Sequence, residues 1–304
     1  MMNEYLSVLP EVQEAIEKGQ PVVALESTII SHGMPYPQNM VTARAVEAEV
    51  RRYGAIPATI AIFNGKCHVG LQEAELEYFA KAQNVWKVSL RDMPYVITQN
   101  LYGATTVAAT MRIAAMAGIK IFVTGGIGGV HRGADKTMDI SADLTEMGET
   151  NVAVISAGVK SILDIGLTLE YLETKGIPVI TVDQDEFPSF YSSRSGHPSP
   201  LRLDSPAEIA RVLKAKWSMG LNGSVLIANP IPFHEGMKEK KIERFIDKAI
   251  ASAERNKIKG KALTPYLLKY LAKHTEGESL ESNIALIKNN ARLGAKIAKQ
   301  LATS

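Results

Sequence analysis

Short apolar segments of strand length alternate with longer segments of helical periodicity along most of the chain. PVVALEST (21–28), IKIFVT (119–124), NVAVISAG (151–158) and IPVITVD (177–183) are apolar runs typical of buried strands. Segments with helical spacing of apolar residues lie between them, such as SILDIGLTLEYLETKG (161–176). Buried strands separated by helices predict an α/β fold with a largely parallel sheet that is covered on both faces.

One segment predicts an antiparallel pair within this sheet. ATIAIF (58–63) and CHVGL (67–71) flank Asn64-Gly65 and Lys66, and an Asn-Gly turn tolerates the positive φ angles of a tight hairpin. We therefore expect a mixed sheet. We also predict an Ala-rich helix over 104–118, a long loop over 185–205 and a largely helical region from about residue 237.

The composition excludes several classes of protein. The 304 residues include 34 Lys+Arg and 32 Asp+Glu, a net charge of +2 that gives no general attraction to nucleic acid. The single cysteine, Cys67, excludes an internal disulfide or a cysteine cluster for a metal. No apolar run reaches membrane-spanning length, and the N-terminal segment does not resemble a signal peptide. We expect a soluble cytoplasmic protein with no membrane or nucleic-acid partner.

A glycine-rich segment, Thr124-Gly-Gly-Ile-Gly-Gly-Val-His131, directly follows one predicted strand. A dinucleotide-binding fingerprint needs glycine where His131 stands and a helix afterwards, and the polar RGADKTMDIS follows instead. A nicotinamide oxidoreductase is therefore disfavoured. The segment is either a tight turn or a loop whose backbone approaches a small ligand, and we favour the loop.

Two aspartates, Asp139 and Asp143, flank Ser141 in the segment MDISADLTE. If a helix begins near Ser141, both carboxylates can face one site and hold Mg²⁺ or Mn²⁺ together with waters. Aspartates at a helix N-terminus also interact favourably with the helix dipole, whatever the function. The pattern leaves both interpretations open.

Three further charged residues stand near predicted strands. Lys160 ends the run VAVISAGVK, where α/β sheets place their ligands, and a neutral lysine amine is a nucleophile toward an aldehyde carbon. Glu26 ends the first strand as a candidate general acid. Lys87, on a short apolar strand, needs a carboxylate or phosphate partner. Each side chain could instead have a purely structural role.

The longer motifs together resemble one family. VALESTIISHGMPYPQN, IAIFNGKCHVGL, VTGGIGGVHRGA, DISADL and AGVKSILDIGLTLEYLET are similar to segments of the pseudouridine-5'-phosphate glycosidases, also called indigoidine-synthase-A-like proteins. The resemblance covers about residues 10–300. It implies a single α/β/α domain over 1–304, a homotrimer, and reversible cleavage of pseudouridine 5'-phosphate to uracil and ribose 5-phosphate with Mn²⁺ or another divalent cation.

The resemblance also implies roles for individual residues. Glu26 matches the proton donor, Lys160 the nucleophilic lysine and Asp139 the metal-binding aspartate. The substrate-binding positions that we predict are Lys87, Val107, Ser141, Ala142 and Asp143, with less certain contributions from Thr124, His131 and Asn283. An alternative is a non-catalytic or pigment-pathway member of the fold that binds a sugar phosphate, although binding alone would need neither Lys160 nor Glu26.

Overall fold

The computed structural model describes residues 3–258 and 260–303. Within these residues, eleven strands form one mixed sheet. The strands are β1 (Leu6–Val8), β2 (Val22–Leu25), β3 (Ile56–Phe63), β4 (Lys66–Val69), β5 (Trp86–Val88), β6 (Gly103–Thr105), β7 (Ile121–Val123), β8 (Ala153–Ser156), β9 (Val179–Val182), β10 (Leu201–Leu203) and β11 (Leu226–Ala228).

The main path of the sheet runs in the order β1-β4-β3-β2-β7-β8-β11-β9-β10. Strand β6 pairs with β3, and β5 pairs with β6. Only the β3–β4 and β3–β6 pairs among those described are antiparallel. The β3–β4 pair is the predicted hairpin, and Asn64 and Gly65 adopt φ angles of +48° and +68° at its turn. The predicted mixed, largely parallel α/β sheet is therefore confirmed.

Helices connect the strands and cover the sheet. They are α1 (Pro10–Glu17), α2 (Gln38–Arg52), α3 (Glu73–Lys81), α4 (Met93–Thr98), α5 (Val107–Met116), α6 (Ala134–Thr137), α7 (Ala142–Met147), α8 (Ile165–Thr174), α9 (Pro206–Ser218), α10 (Glu239–Arg255), α11 (Leu263–His274) and α12 (Glu278–Ala302). A π-helical turn over Ile29–Gly33 precedes α2.

The centre of the sheet is the core of the molecule. Every residue of β2, β7, β8, β9 and β11 is buried, as expected of parallel strands that are covered on both faces. Helix α12 packs on β2, β7 and β8, and α5 packs on β2, β3 and β7. At the closest approach of α12, a Cβ on Gly294 would collide with Val123, so only glycine fits there. Among the described helices, none combines the length and apolar character that crossing a membrane requires.

Two boundaries differ from the sequence predictions. The helix expected over 104–118 begins only at Val107, because Gly103–Thr105 forms β6 and pairs with β3 and β5. The loop expected over 185–205 contains β10, which pairs in parallel with β9. Both misassigned segments are three-residue strands, whose periodicity is too short to separate them from their surroundings.

Candidate active site

The carboxyl ends of three neighbouring parallel strands, β2, β7 and β8, border one cavity of about 210 Å³. Glu26 directly follows β2, Gly125 and Gly126 follow β7, and Lys160 lies in the segment after β8. All four residues line the cavity. Ligands of open α/β sheets bind at this edge, so the cavity is the candidate active site.

Glu26 is held by two hydroxyl groups. Its side chain is almost fully buried, with 8% exposure. The hydroxyl of Thr124 donates to Oε1 and the hydroxyl of Thr28 donates to Oε2. These two donors fix the plane of the carboxyl group at the wall of the cavity. Thr124, which we predicted to contact substrate, is fully buried and does not line the cavity, so its contact in this structure is with Glu26.

Asp143 fastens the glycine-rich segment to helix α5. Its Oδ2 accepts the backbone N–H of Gly128 at 2.8 Å, and its Oδ1 accepts that of Ala108 at 2.9 Å. A Cβ on Gly128 would collide with Ser141 Oγ and lie 2.7 Å from Asp143 Oδ2, so the close approach requires glycine. The segment is followed by the four-residue α6 (Ala134–Thr137), and not by the helix directly after the glycines that a dinucleotide site needs. It is a loop that lines the cavity, as favoured from the sequence.

Helix α7 begins as the sequence predicted. Ser141 is its N-cap, and Ser141 Oγ accepts the backbone N–H of Asp143 at 3.2 Å. Ser141, Asp143 and Val107 line the cavity, whereas Ala142 is exposed and does not. The predicted substrate contacts of these four residues stay predictions.

Two lysines and two histidines line the cavity. Lys87 and Lys160 line it together with His131 and His32. Burial lowers the pKa of His131, and the charges of Lys87 and Lys160 lower it further against the opposing effect of Asp139. Burial and the charge of Lys87 likewise lower the pKa of His32. Lys87 acts on the pKa of both imidazoles and Lys160 acts on that of His131, so both lysine charges lie near the histidines and favour an anionic ligand in this cavity.

Asp139 is the candidate metal ligand. Its carboxylate is 43% exposed, and its Oδ2 lies 3.9 Å from Nδ1 of His131. Among the described residues, no group of three or more His, Cys, Asp or Glu side chains could hold a metal by itself. Mg²⁺-type cations are commonly bound by one or two carboxylates with waters and substrate phosphates. Asp139 at the cavity wall fits a cation whose other ligands are waters and substrate. It does not fit a cation whose ligands all come from the protein.

The cavity is also lined by residues that were not among the predicted site residues. Phe190, from the loop before β10, lies against Gly126, and Thr264 and Leu268 of α11 also line the cavity. Asn283 of α12, which we did predict, is 6% exposed and lines the same cavity. Its Oδ1 is buried and has no hydrogen-bond partner among the described residues, so it is available to a donor on a ligand.

His32 also lines the cavity and was not among the predicted site residues. It stands in the π-helical turn after β2, and its ring Nε2 is buried without a hydrogen-bond partner in the described part of the chain. The sequence could have indicated His32, because it lies only six residues after Glu26, which ends the first strand in VALESTIISHG. A π-helical turn next to a strand end is a frequent feature of functional sites.

Comparison with known proteins agrees with this geometry. The family model described as Indigoidine synthase A like protein matches residues 11–300. The chain belongs to this family. A relative from Caldanaerobacter subterraneus subsp. tengcongensis, named pseudouridine-5'-phosphate glycosidase, is 57% identical over 99% of this chain and 98% of its own length. A relative of the same name from Deinococcus radiodurans is 56% identical over 99% of this chain and 96% of its own length. The family resemblance seen in the sequence is confirmed, and the chain is an enzyme.

Two solved structures share the fold. The prealnumycin C-glycosynthase AlnA in complex with ribulose 5-phosphate matches with a TM-score of 0.91 and 38% identity, over 99% of this chain and 98% of that chain. An indigoidine synthase A-like protein from Thermotoga maritima matches with a TM-score of 0.89 and 35% identity, over 98% of this chain and 96% of that chain. The α/β architecture is thus a property of the family.

Proposed function

We propose that the protein catalyses the reversible cleavage of the C–C glycosidic bond of pseudouridine 5'-phosphate, giving uracil and ribose 5-phosphate. One observation supports this proposal above all. A lysine, Lys160, and a hydrogen-bonded acid, Glu26, line the same cavity as a second lysine, Lys87. The names of the full-length relatives and the sugar phosphate bound to AlnA agree with such a substrate.

The bond to be broken determines which groups are needed. A C–C glycosidic bond has no oxygen leaving group, so the two-carboxylate mechanism of ordinary glycosidases does not suffice. We propose that the neutral amine of Lys160 displaces O4' from C1', so that the ribose ring opens and O4' takes the proton that the amine gives up. The lone pair of the lysine nitrogen then forms the C1'=N iminium bond as the C1'–C5 bond breaks. The electrons of that bond leave with uracil, a carbanion equivalent stabilised by its own carbonyl groups. Water then hydrolyses the Schiff base and releases ribose 5-phosphate.

Glu26 is the proton donor in this scheme. In the cleavage direction, its carboxyl group protonates C5 of uracil as the C1'–C5 bond breaks. Hydrogen bonds from Thr28 and Thr124 orient the carboxyl group, so the proton is presented from a fixed position. In the synthetic direction, Glu26 takes the same proton back from C5.

Binding of the substrate uses the remaining cavity residues. Lys87, together with Ser141 and His131, is proposed to hold the phosphate, since the charges of Lys87 and Lys160 favour an anion beside His131. Asn283 is proposed to pair with a uracil N–H through its unpartnered Oδ1. We assign Val107, at the start of α5, to the cavity wall beside the substrate.

Asp139 is proposed to hold a divalent cation, Mn²⁺ or a related metal. The cation, when bound, would offset the charge of the phosphate and order water near it. The half-exposed carboxylate leaves room for waters to complete the coordination. We further propose a homotrimer of single-domain chains in the cytoplasm, and the molar mass in solution measured by light scattering tests the trimer.

Incubation of the protein with uracil, ribose 5-phosphate and Mn²⁺ tests the proposed function. We expect a C-nucleotide product with the mass of pseudouridine 5'-phosphate, and the reverse reaction from that compound. The matched control is Glu26→Gln, which keeps the size of the side chain but removes its acid. Binding of ribose 5-phosphate without any C-nucleotide would contradict the proposal and favour a non-catalytic sugar-phosphate-binding protein.

A further inference from the structure

A second, smaller cavity lies behind Glu26, on the side of helix α2. Its volume is about 20 Å³, and Glu26 lines both this cavity and the candidate active site. Most of its wall is apolar, with Leu25, Val46 and Val123 among the lining residues. The polar side chains at its wall include Thr42 and Thr59. A cavity of this size holds one water molecule when polar groups are present to bind it.

The hydroxyl group of Thr42 lines this cavity and lacks a hydrogen-bond partner in the described part of the chain. Thr42 is 3% exposed, and its Oγ1 is buried with no hydrogen-bond partner among the described residues. A threonine in a helix commonly bonds to the carbonyl group one turn earlier, and Thr42 Oγ1 makes no such bond. Buried hydroxyl groups in native proteins nearly always have a partner, from the protein or from water. The cavity that Thr42 lines is the place for that partner.

The same cavity connects Glu26 to a second acid. The hydroxyl of Thr59, which also lines the cavity, donates to Oε1 of Glu47 at 2.5 Å. Glu47 belongs to α2, one helical turn and a residue beyond Thr42, and its side chain is only partly exposed. Burial raises the pKa of Glu47, while its bond to Thr59 and the charge of Arg51 oppose that shift. Glu47 therefore retains a proton more readily than an ordinary glutamate.

We infer that one ordered water occupies the cavity behind Glu26, and that this water, Thr59 and Glu47 form a route by which Glu26 exchanges its proton with solvent while substrate fills the active site. The inference rests on the proposed function, in which Glu26 transfers a proton to and from C5 of uracil. After Glu26 has protonated C5, its carboxylate takes a proton from the water. The Thr59 hydroxyl turns from Glu47 to the water and gives it a proton, Thr59 then takes one from the Glu47 carboxyl, and Glu47 regains one from solvent.

The route has a measurable consequence in the synthetic direction. When uracil labelled with deuterium at C5 reacts with ribose 5-phosphate in ordinary water, Glu26 receives the deuteron from C5. Some complexes break the new C–C bond again before the product leaves. If Glu26 has exchanged its deuteron with solvent by then, C5 receives ordinary hydrogen; if it has not, C5 receives the deuteron back. The washout ratio is the amount of deuterium lost from recovered uracil divided by the amount of product formed, both measured at initial rates. It therefore reports proton exchange within the occupied site.

Two substitutions interrupt the route without touching the active-site cavity. Thr42→Val replaces the hydroxyl by a methyl group of nearly the same size, and Glu47→Gln removes the terminal acid. We expect each variant to lower the washout ratio several-fold with a smaller effect on the rate of synthesis. Thr42→Ser keeps the hydroxyl and is the matched control, in which the ratio should stay close to that of the unsubstituted protein.

A crystal structure at high resolution completes the test. We expect one water within hydrogen-bond distance of Thr42 Oγ1, and its loss in Thr42→Val. An empty cavity, or an unchanged washout ratio in Thr42→Val and Glu47→Gln, would overturn the inference. Failure of the proposed function gives a different result, because the unsubstituted protein would then form no C-nucleotide at all. In that case the route has no reaction to serve and is rejected, while the crystal structure still decides whether the water is bound.

Discussion

Replacement of Asp143 by asparagine tests whether the glycine-rich loop is held by a single carboxylate. Asp143 is 6% exposed and accepts two backbone N–H groups, from Gly128 at 2.8 Å and from Ala108 at 2.9 Å. Asparagine has one carbonyl oxygen and can accept only one of these bonds in the same geometry. Its NH₂ group would face the other backbone N–H, so that donor would lose its partner.

The expected loss of stability follows from these contacts. A hydrogen bond to a charged group contributes roughly 1.5–3 kcal/mol, and an unsatisfied buried donor adds to the loss, so we expect Asp143→Asn to lower the free energy of unfolding by about 2–4 kcal/mol. The entropy of unfolding scales with chain length, and for a chain of this size the midpoint should fall by roughly 3–6 °C. Activity should fall as well, because Gly128 and Ser141 both line the cavity.

Thermal unfolding at one protein concentration, with chelator present, measures this effect. Asp139→Asn is the matched control, because the Asp139 carboxylate is 43% exposed and close to the same loop. We expect its midpoint to change by less than about 1 °C, as is usual for exposed substitutions of about 0.5 kcal/mol or less. An Asp143→Asn variant as stable as the Asp139→Asn control would refute the role that we assign to Asp143.

Three further predictions concern binding, metal and pH. Lys87→Ala should abolish the preference for pseudouridine 5'-phosphate over pseudouridine in kcat/KM, and an undiminished preference would make Lys87 structural. Exhaustive chelation should abolish turnover without unfolding the protein, Mn²⁺ should restore it, and Asp139→Ala should resemble the chelated enzyme; full activity after chelation would contradict this. Burial lowers the pKa of His32 and His68 from 6.5, so the unfolded state binds more protons. Stability to urea should therefore fall as pH drops below about 6.5, by at most about 1.4 kcal/mol per pH unit for each histidine, and His68→Asn should reduce that slope.

Much of the fold follows from local patterns in the sequence. The buried strands β2, β7, β8 and β9 are apolar over their whole length, and the Asn64-Gly65 turn determines the hairpin. Helix α9 begins at Pro206, and its N-cap Ser205 accepts the backbone N–H of Glu208, the pattern typical of a Ser-Pro-x-Glu helix start. These elements are recognisable because their signals lie within a few consecutive residues.

The buried hydrogen bonds that hold the site together could not be predicted from such local patterns. Asn290 of α12 is fully buried and donates to the backbone carbonyl of Thr124 at 2.9 Å, and Asn229 donates to Asn290 at 3.0 Å. These bonds join segments that are far apart in the sequence. Helical spacing from Leu286 and Ile287 places Asn290 on the buried face of α12, but only the tertiary arrangement shows which groups it bonds.

The same limit applies to the candidate catalytic residues. A lysine after an apolar strand has several possible roles, and the family resemblance, rather than spacing, separated Lys160 from the other lysines. The structure adds that Lys160 and Glu26 line one cavity. It also assigns the hydroxyl of Thr124 to Glu26, a contact that no periodicity could have indicated.

Trapping of the covalent intermediate with borohydride tests the central claim most directly. Borohydride added during turnover should reduce the iminium ion and leave ribose phosphate attached to Lys160, as located by peptide mass mapping. Lys160→Arg should keep the fold and the positive charge but give neither adduct nor turnover, because arginine stays protonated and offers no neutral amine. A Lys160→Arg enzyme with near-normal turnover, or an adduct on another lysine, would contradict the Schiff-base mechanism.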